Sequence, residues 1–174
     1  MGCDIHSYVE VKHNGIWTQV HKKFPLSNWE KELYHRDFGD RPFNYRHYGL
    51  FGWLADVRNY SGVKSLAPRR GLPADVSSEV YKIAQEYGPD GHSHSWIRLQ
   101  ELLEVDYNEI IWDRRVTRQI TPNFSDGRCT TDNPKEGKRL PLRKFLGSSF
   151  FKALEVLETV GEPENVRIVF WFDN

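Results

Sequence analysis

Two short clusters of polar side chains carry the residue types that acid–base or metal chemistry requires. Asp4 and His6 lie two residues apart near the N-terminus, and His92 and His94 form a second pair further along the chain. Side chains at positions i and i+2 of a β-strand point to the same face, so Asp4 and His6 are expected to converge. One carboxylate and three imidazoles form a ligand set suited to Zn²⁺ or Mn²⁺.

These four residues support chemistry with or without a metal, and the sequence leaves both alternatives open. A bound metal would polarise a phosphoryl oxygen and lower the pKa of a bound water. Without a metal, His6 and one of the later histidines can act as general base and acid, because imidazole titrates near neutral pH. The alternative for each histidine taken singly is a packing or capping role. We predict a reactive centre, and a candidate metal site, formed by Asp4, His6, His92 and His94.

A central segment interleaves basic and aromatic side chains in a way that suits a phosphate-bearing ligand. Arginine guanidinium groups can hold phosphate bidentately, and aromatic rings can stack on a base. For the aromatic residues near position 53 the alternative is a core helix, whereas the arginines favour anion binding. The predicted ligand-binding residues are Arg46, Tyr48, Trp53, Arg58, Arg69 and Trp96.

The charge distribution favours a small anionic ligand over duplex nucleic acid. The chain of 174 residues has 24 basic and 24 acidic side chains and no net charge, which argues against a protein that coats a duplex. Residues 41–71 hold six Lys or Arg against one acid, whereas residues 72–110 hold eight acids and two bases. Such alternation can focus positive potential locally, and the alternative is that the two segments pair as solvated surface.

No apolar run of the length that spans a membrane is present, and the start of the chain lacks the features of a signal peptide. The two cysteines, Cys3 and Cys129, are far apart and form no metal-binding pattern. We expect both to be reduced in a cytosol. No membrane partner is expected.

The elements that must position these residues combine strands and helices. Residues 5–11 and 16–20 are predicted to form a hairpin around Asn14-Gly15, and residues 166–172 a buried strand beside the first. Helices are expected near residues 29–34, over 50–58, from a cap at Ser77 or Ser78 to Tyr87, and over 145–160.

Two loops are also expected, and the first of them contains both later histidines. Residues 90–95, which contain both later histidines, read as a tight loop before a helix that is capped by Ser95. Residues 121–141 are rich in Gly, Pro, Asp, Asn and Lys and are predicted to form a flexible loop or lid. The sequence therefore predicts one α+β domain over residues 1–174, with a small, mostly antiparallel sheet and several helices.

Several longer motifs resemble a family of small bacteriophage-encoded proteins without a settled activity. The matching segments are Met1–His6, Leu50–Asn59, Arg69–Pro73, Asp90–Trp96 and the final Val-Phe-Trp-Phe-Asp-Asn. This chain departs from the family pattern at Arg70, which is inserted between the expected arginine and glycine. That insertion can change which arginine faces a ligand.

The resemblance implies a context of phage infection, in which small proteins counter nucleotide-based immune signals of the host. The leading hypothesis is an anti-defence hydrolase in the cytoplasm of the infected bacterium, which cleaves a phosphodiester bond of a nucleotide signal such as a cyclic dinucleotide. The first alternative is a non-catalytic sponge that sequesters a cyclic dinucleotide or a cyclic ADP-ribose type of signal, for which a homo-oligomer is favourable. The second alternative is a phage structural or protein-interaction factor.

Overall fold

The protein has a mixed α+β fold with a mainly antiparallel central sheet, as the sequence predicts. The computed structural model describes residues 2–118 and 127–174, and these residues form six α-helices and ten strands. The strands are β1 (Asp4–His13), β2 (Ile16–Val20), β3 (Phe24–Pro25), β4 (Phe38–Gly39), β5 (His92–Arg98), β6 (Ile110–Asp113), β7 (Arg115–Arg118), β8 (Gly127–Thr130), β9 (Lys138–Pro141) and β10 (Val166–Asp173). The helices are α1 (Asn28–Tyr34), α2 (Tyr48–Ala55), α3 (Ser78–Tyr87), α4 (Leu99–Leu103), α5 (Leu142–Leu146) and α6 (Ser148–Glu158).

The chain divides into two compact units. The first unit comprises Met1–Arg46, Ala67–Val105 and Ser148–Asn174, and it contains the four-stranded sheet. The second comprises His47–Leu66 and Asp106–Gly147, and it contains α2, α5 and the small sheets β6–β9 and β7–β8. A single domain over residues 1–174 stays a prediction.

The central sheet has the strand order β2-β1-β10-β5, and every neighbouring pair is antiparallel. The hairpin between β1 and β2 turns at Asn14 and Gly15, which both have positive φ angles, 49° and 81°. That conformation is the one that Asn-Gly favours in two-residue hairpins. The predicted hairpin is confirmed, and so is the predicted position of the C-terminal strand beside the first.

Strand β10 lies at the centre of this sheet and is buried from Val166 to Phe172. Its run of apolar residues therefore packs on both faces of the sheet. One face carries Trp171 with Val169 and packs against Val80 and Ala84 of α3.

Side chains at the helix ends explain where α1 and α3 begin. Ser27 and Glu30 form a reciprocal capping box at the start of α1. The Ser77 side chain accepts a hydrogen bond from the Val80 N–H and caps α3, so the predicted Ser77 cap is confirmed. The helix predicted over 145–160 is interrupted at Gly147, whose φ of 79° is incompatible with a continuous helix.

One of the two predicted loops is wrong, and part of the other lies outside the residues that the structure describes. Residues 92–98 form strand β5, and the following helix begins at Leu99, so the predicted tight loop with a helix capped by Ser95 is wrong. Ser95 is instead buried, and its hydroxyl donates to the Ala67 carbonyl at 2.6 Å. Of the predicted loop at 121–141, residues 121–126 lie outside the described residues. The rest of that segment contains strands β8 and β9.

The second unit contains the helix predicted over residues 50–58, which spans Tyr48–Ala55. Helix α2 is buried from Gly49 to Ala55, and its apolar residues make it a core helix. The strands of the second unit form two antiparallel pairs, β6 with β9 and β7 with β8. Among the residues that the structure describes, no helix is long and apolar enough to cross a membrane.

Candidate functional site

A cleft of about 650 Å³ lies in the first unit, beside the N-terminal half of β1. Strand β1 supplies Asp4 and His6 to the lining of the cleft, and helix α1 supplies Trp29, Glu30 and Tyr34. The segment after β4 adds two arginines and an asparagine. The lining residues that matter below are Asp4, His6, Trp29, Glu30, Tyr34, Arg41, Asn44 and Arg46.

Residues from three other parts of the chain lie close to the two ring nitrogens of His6. Its Nδ1 lies 3.1 Å from Nη1 of Arg41 and 2.8 Å from the Tyr87 hydroxyl. Its Nε2 lies 3.2 Å from Oδ2 of Asp173. Because a guanidinium can only donate, Nδ1 is the accepting nitrogen and Nε2 carries the ring proton, but the Nε2 contact with Asp173 lacks hydrogen-bond geometry.

Burial favours the neutral imidazole form of His6. Burial lowers the pKa of His6 below its usual value, and the positive charge of Arg41 lowers it further. The Asp173 carboxylate acts in the opposite direction but does not compensate for the burial. The ring of Tyr87 packs on the imidazole with a centroid distance of 4.3 Å.

Arg41 presents a guanidinium of fixed orientation to the cleft. In addition to its contact with His6, its guanidinium carbon lies 5.8 Å from the centre of the Tyr8 ring. Its Nε lies 3.7 Å from Oδ1 of Asp40, and its side chain keeps 29% of its surface exposed. Such a guanidinium is positioned before a ligand arrives, which reduces the entropy lost on binding.

The Asp4 carboxylate is paired with Arg46. The two side chains form a bidentate pair, with Nε–Oδ1 at 2.9 Å and Nη2–Oδ2 at 2.7 Å. Both side chains are about half exposed. The predicted metal ligand Asp4 and the predicted phosphate ligand Arg46 therefore already engage each other.

A β-bulge separates the two histidines of the second cluster. Ser95 pairs with Phe170 and His92 pairs with Phe172, so residues 93 and 94 together oppose Trp171. Ser93 has a φ of 54° at this bulge.

The bulge directs these two imidazoles to opposite faces of the sheet. The His94 ring stacks on Trp171, whereas the His92 ring stacks on Phe172. Successive residues of β10 point to opposite faces, so of the two only His94 shares the face of His6, whose ring also packs on Trp171. Burial, and then the nearby His92, lower the pKa of His94.

The predicted metal ligands do not assemble into a metal site in the described part of the chain. Residues 2–118 and 127–174 contain no group of three or more His, Cys, Asp or Glu side chains placed to hold a metal ion. Asp4 is paired with Arg46, and the bulge divides His92 from His94.

Two more predicted ligand residues, Trp96 and Arg69, belong to the first unit. Trp96 is partly buried, whereas Arg69 is exposed. The guanidinium carbon of Arg70 lies 5.2 Å from the centre of the Trp96 ring. It also makes a bidentate pair with Glu101, at 3.0 and 2.7 Å. Arg69 is an exposed residue with a φ of 49°.

The other three predicted ligand residues belong to the second unit. Trp53 is only 5% exposed in α2 and packs near Tyr107, with ring centres 6.3 Å apart. The Tyr48 ring lies near those of Phe51 and Tyr60. Arg58 follows the end of α2, and its Nη1 lies 3.4 Å from the Tyr60 hydroxyl.

The cleft contains residues that the sequence patterns did not single out. Two of them, Trp29 and Tyr34, are exposed aromatic side chains at 66% and 50%. Arg41 belongs to the basic segment 41–71, but no motif marks it as a ligand residue. Tyr87 and Asp173 are 81 and 167 positions from His6, and no short motif indicates such distant partners.

Comparisons with protein-family models, with curated proteins and with solved structures found no match to this chain.

Proposed function

We propose that this protein binds a small nucleotide-derived signalling molecule in the cleft beside His6 and sequesters it. The ligand class is a cyclic dinucleotide or a cyclic ADP-ribose type of molecule. The place of action is the cytoplasm of a phage-infected bacterium, which the sequence motifs imply.

One observation carries the proposal. A positioned guanidinium, Arg41, and two exposed aromatic rings, Trp29 and Tyr34, line the same cleft of about 650 Å³. A guanidinium supplies charge-assisted hydrogen bonds to phosphate, and an exposed ring supplies a stacking surface for a base. The volume lies in the range that small-molecule sites occupy in proteins.

The geometry favours sequestration over hydrolysis. A general base needs a ring nitrogen that reaches the proton it removes, and both nitrogens of His6 face protein groups. The Asp4 carboxylate is engaged by Arg46. The residues that the structure describes also offer no metal site to activate a water.

Hydrolysis of a phosphodiester is the second candidate, and the arrangement around His6 supports it. Asp173, His6 and Tyr87 stand in the order carboxylate, imidazole, hydroxyl, which is the order of groups in a catalytic triad. In such a mechanism Nδ1 of His6 would take the proton of the Tyr87 hydroxyl, and the Asp173 carboxylate would stabilise the resulting imidazolium.

Chromatography of ligand before and after heat denaturation distinguishes the two candidates. The protein is incubated with cyclic di-GMP, cyclic di-AMP and cyclic ADP-ribose, each with and without EDTA. Sequestration predicts that one compound is depleted in proportion to the protein and returns intact on heating. Conversion with turnover would establish the hydrolase instead, and failure to deplete or convert any compound would contradict both.

A further inference from the structure

A buried carboxylate oxygen in the wall of the cleft has no hydrogen-bond partner in the described part of the chain. Glu30 of α1 is 2% exposed. Its Oε2 accepts from the Ser27 N–H at 2.9 Å and from the Ser27 hydroxyl at 2.6 Å. Its Oε1 is buried and accepts from none of the described residues. A buried acceptor in this state lacks the compensation for its lost hydration, which a ligand donor would supply.

The neighbours of Glu30 in the cleft supply the other features of a base-binding site. Trp29 and Tyr34 belong to the same short helix and line the same cleft with exposed rings. Tyr45 also lines the cleft, and burial together with the charge of Glu30 raises its pKa above the usual range, so its hydroxyl stays neutral. Asn44 adds an amide with one donor and one acceptor group.

We propose that Glu30 makes this cleft selective for a guanine base. This inference rests on the proposed function and names the base of its ligand. Guanine presents two adjacent donors, N1–H and the 2-amino group, and Glu30 Oε1 has two lone pairs to accept them. The O6 acceptor of guanine beside these donors matches the amide N–H₂ of Asn44.

The hydrogen-bonding edge of adenine is less complementary to Glu30. Its edge places the N1 acceptor where guanine carries the N1–H donor, so N1 would face the Glu30 carboxylate. Leaving a buried polar group unpaired gives strong discrimination between otherwise similar ligands. Hypoxanthine keeps the N1–H donor but lacks the 2-amino group, and it should therefore bind with intermediate affinity.

Calorimetric titration with three matched ligands tests this assignment. Cyclic di-GMP, cyclic di-IMP and cyclic di-AMP share one sugar-phosphate ring and differ only in the base edge. The expected order of affinity is guanine, then hypoxanthine, then adenine, with about tenfold between neighbours.

The Glu30→Gln variant keeps the capping box, because glutamine also serves at this position, but replaces an acceptor in the cleft with an N–H donor. We expect it to bind cyclic di-GMP at least about tenfold more weakly and cyclic di-AMP no more weakly than wild type. Glu32→Gln is the matched control, because Glu32 is an exposed residue of the same helix with the same charge. It should leave all three affinities unchanged.

The outcomes separate this inference from the proposed function. Equal affinity for the three bases, or binding of cyclic ADP-ribose alone, would overturn the guanine assignment and leave the proposed function standing. Binding of none of these four compounds would overturn both. If Glu30→Gln fails to fold, the order of affinities of the wild-type protein decides the question by itself.

Discussion

Most charged side chains at the cleft are already paired with one another, and this pairing limits which of them can bind a ligand. Asp4 is paired with Arg46, and the Asp173 carboxylate lies 3.2 Å from Nε2 of His6. Arg41 contacts His6 on one side, yet its side chain keeps part of its surface exposed. Among these groups Arg41 is therefore the one that we expect to meet a phosphate.

Removal of an exposed ring should weaken ligand binding without affecting the fold. Trp29→Ala deletes a side chain that is 66% exposed and lines the cleft, so it removes stacking rather than core packing. Stacking of one base contributes roughly 1–3 kcal/mol, and we expect affinity for cyclic di-GMP to fall by about tenfold or more. Titration calorimetry measures the change.

Leu33→Ala is the control for Trp29→Ala. Leu33 is a half-exposed apolar residue of the same helix outside the lining of the cleft. It should bind as the wild type does. Equal losses of affinity in both variants would contradict stacking on the Trp29 ring, because they would indicate a general disturbance of helix α1.

Sequence patterns could identify His6 but not its partners. The alternation of β1 placed Asp4 and His6 on one face, and the two residues line the same cleft. Asp173 and Tyr87 reach His6 only because β10 lies beside β1 and α3 packs on the same face of the sheet. Such contacts depend on tertiary packing, for which residue type and local spacing carry no signal.

Strand β5 shows how tertiary pairing can override a local pattern. Its start, His92-Ser93-His94-Ser95, lacks the apolar alternation typical of a strand, so the sequence indicated a loop. The apolar strand β10 supplies its backbone hydrogen bonds, and Ser95 is buried with its hydroxyl bonded to Ala67. The hairpin at Asn14-Gly15 was predictable because its turn is set by two adjacent residues.

The start of α2 depends on a histidine cap that also makes this helix sensitive to pH. Nδ1 of His47 accepts a hydrogen bond from the Leu50 N–H at 2.8 Å. His47→Ala should lower the free energy of unfolding by about 1 kcal/mol, because it removes the cap. His47→Asn retains a capping acceptor and should cost less. Urea denaturation at pH 7.5 measures both, and equal losses in the two variants would contradict a capping role.

Acid should weaken this cap. Burial, and then the charge of Arg115, lower the pKa of His47 below its usual value. The unfolded chain therefore binds the proton more readily than the folded protein, so the stability that His47 contributes is present above about pH 6.5 and is lost as the pH falls through its lowered pKa. His47→Asn should show a smaller loss of stability between pH 7.5 and 5 than the wild type. An identical pH dependence would contradict this.

The core of the first unit contains a buried ion pair between the neighbouring strands β1 and β10. Nε of Arg167 lies 2.6 Å from Oε2 of Glu10, and both side chains are almost fully buried. Oε1 of Glu10 accepts from the Ser77 N–H at the start of α3, at 2.7 Å. Arg167 also pairs with Asp75 at 2.6 Å and lies over the Trp17 ring. This network joins two strands of the sheet to α3.

Loss of one member of that pair should destabilise the protein strongly. Glu10→Ala leaves the Arg167 charge buried beside an empty space, and we expect the free energy of unfolding to fall by about 3–5 kcal/mol. Glu86→Ala, on the exposed face of α3, should change it by less than about 0.5 kcal/mol. Urea denaturation of both variants measures the difference. A small effect of Glu10→Ala would mean that Asp75 alone can satisfy Arg167.

The central claim is that a phosphate-bearing ligand binds at Arg41, and calorimetric titration of Arg41→Gln tests it most directly. Cyclic di-GMP, cyclic di-AMP and cyclic ADP-ribose are titrated into the wild type, into Arg41→Gln and into Lys152→Gln, which removes an exposed positive charge from α6. Glutamine is uncharged and shorter than arginine, so the substitution removes both the charge and the guanidinium contact with His6. We predict that the wild type binds at least one of the three ligands, that Arg41→Gln binds it at least about tenfold more weakly, and that Lys152→Gln binds it with unchanged affinity. Equal affinity of Arg41→Gln and wild type, or no binding by the wild type, would contradict the account.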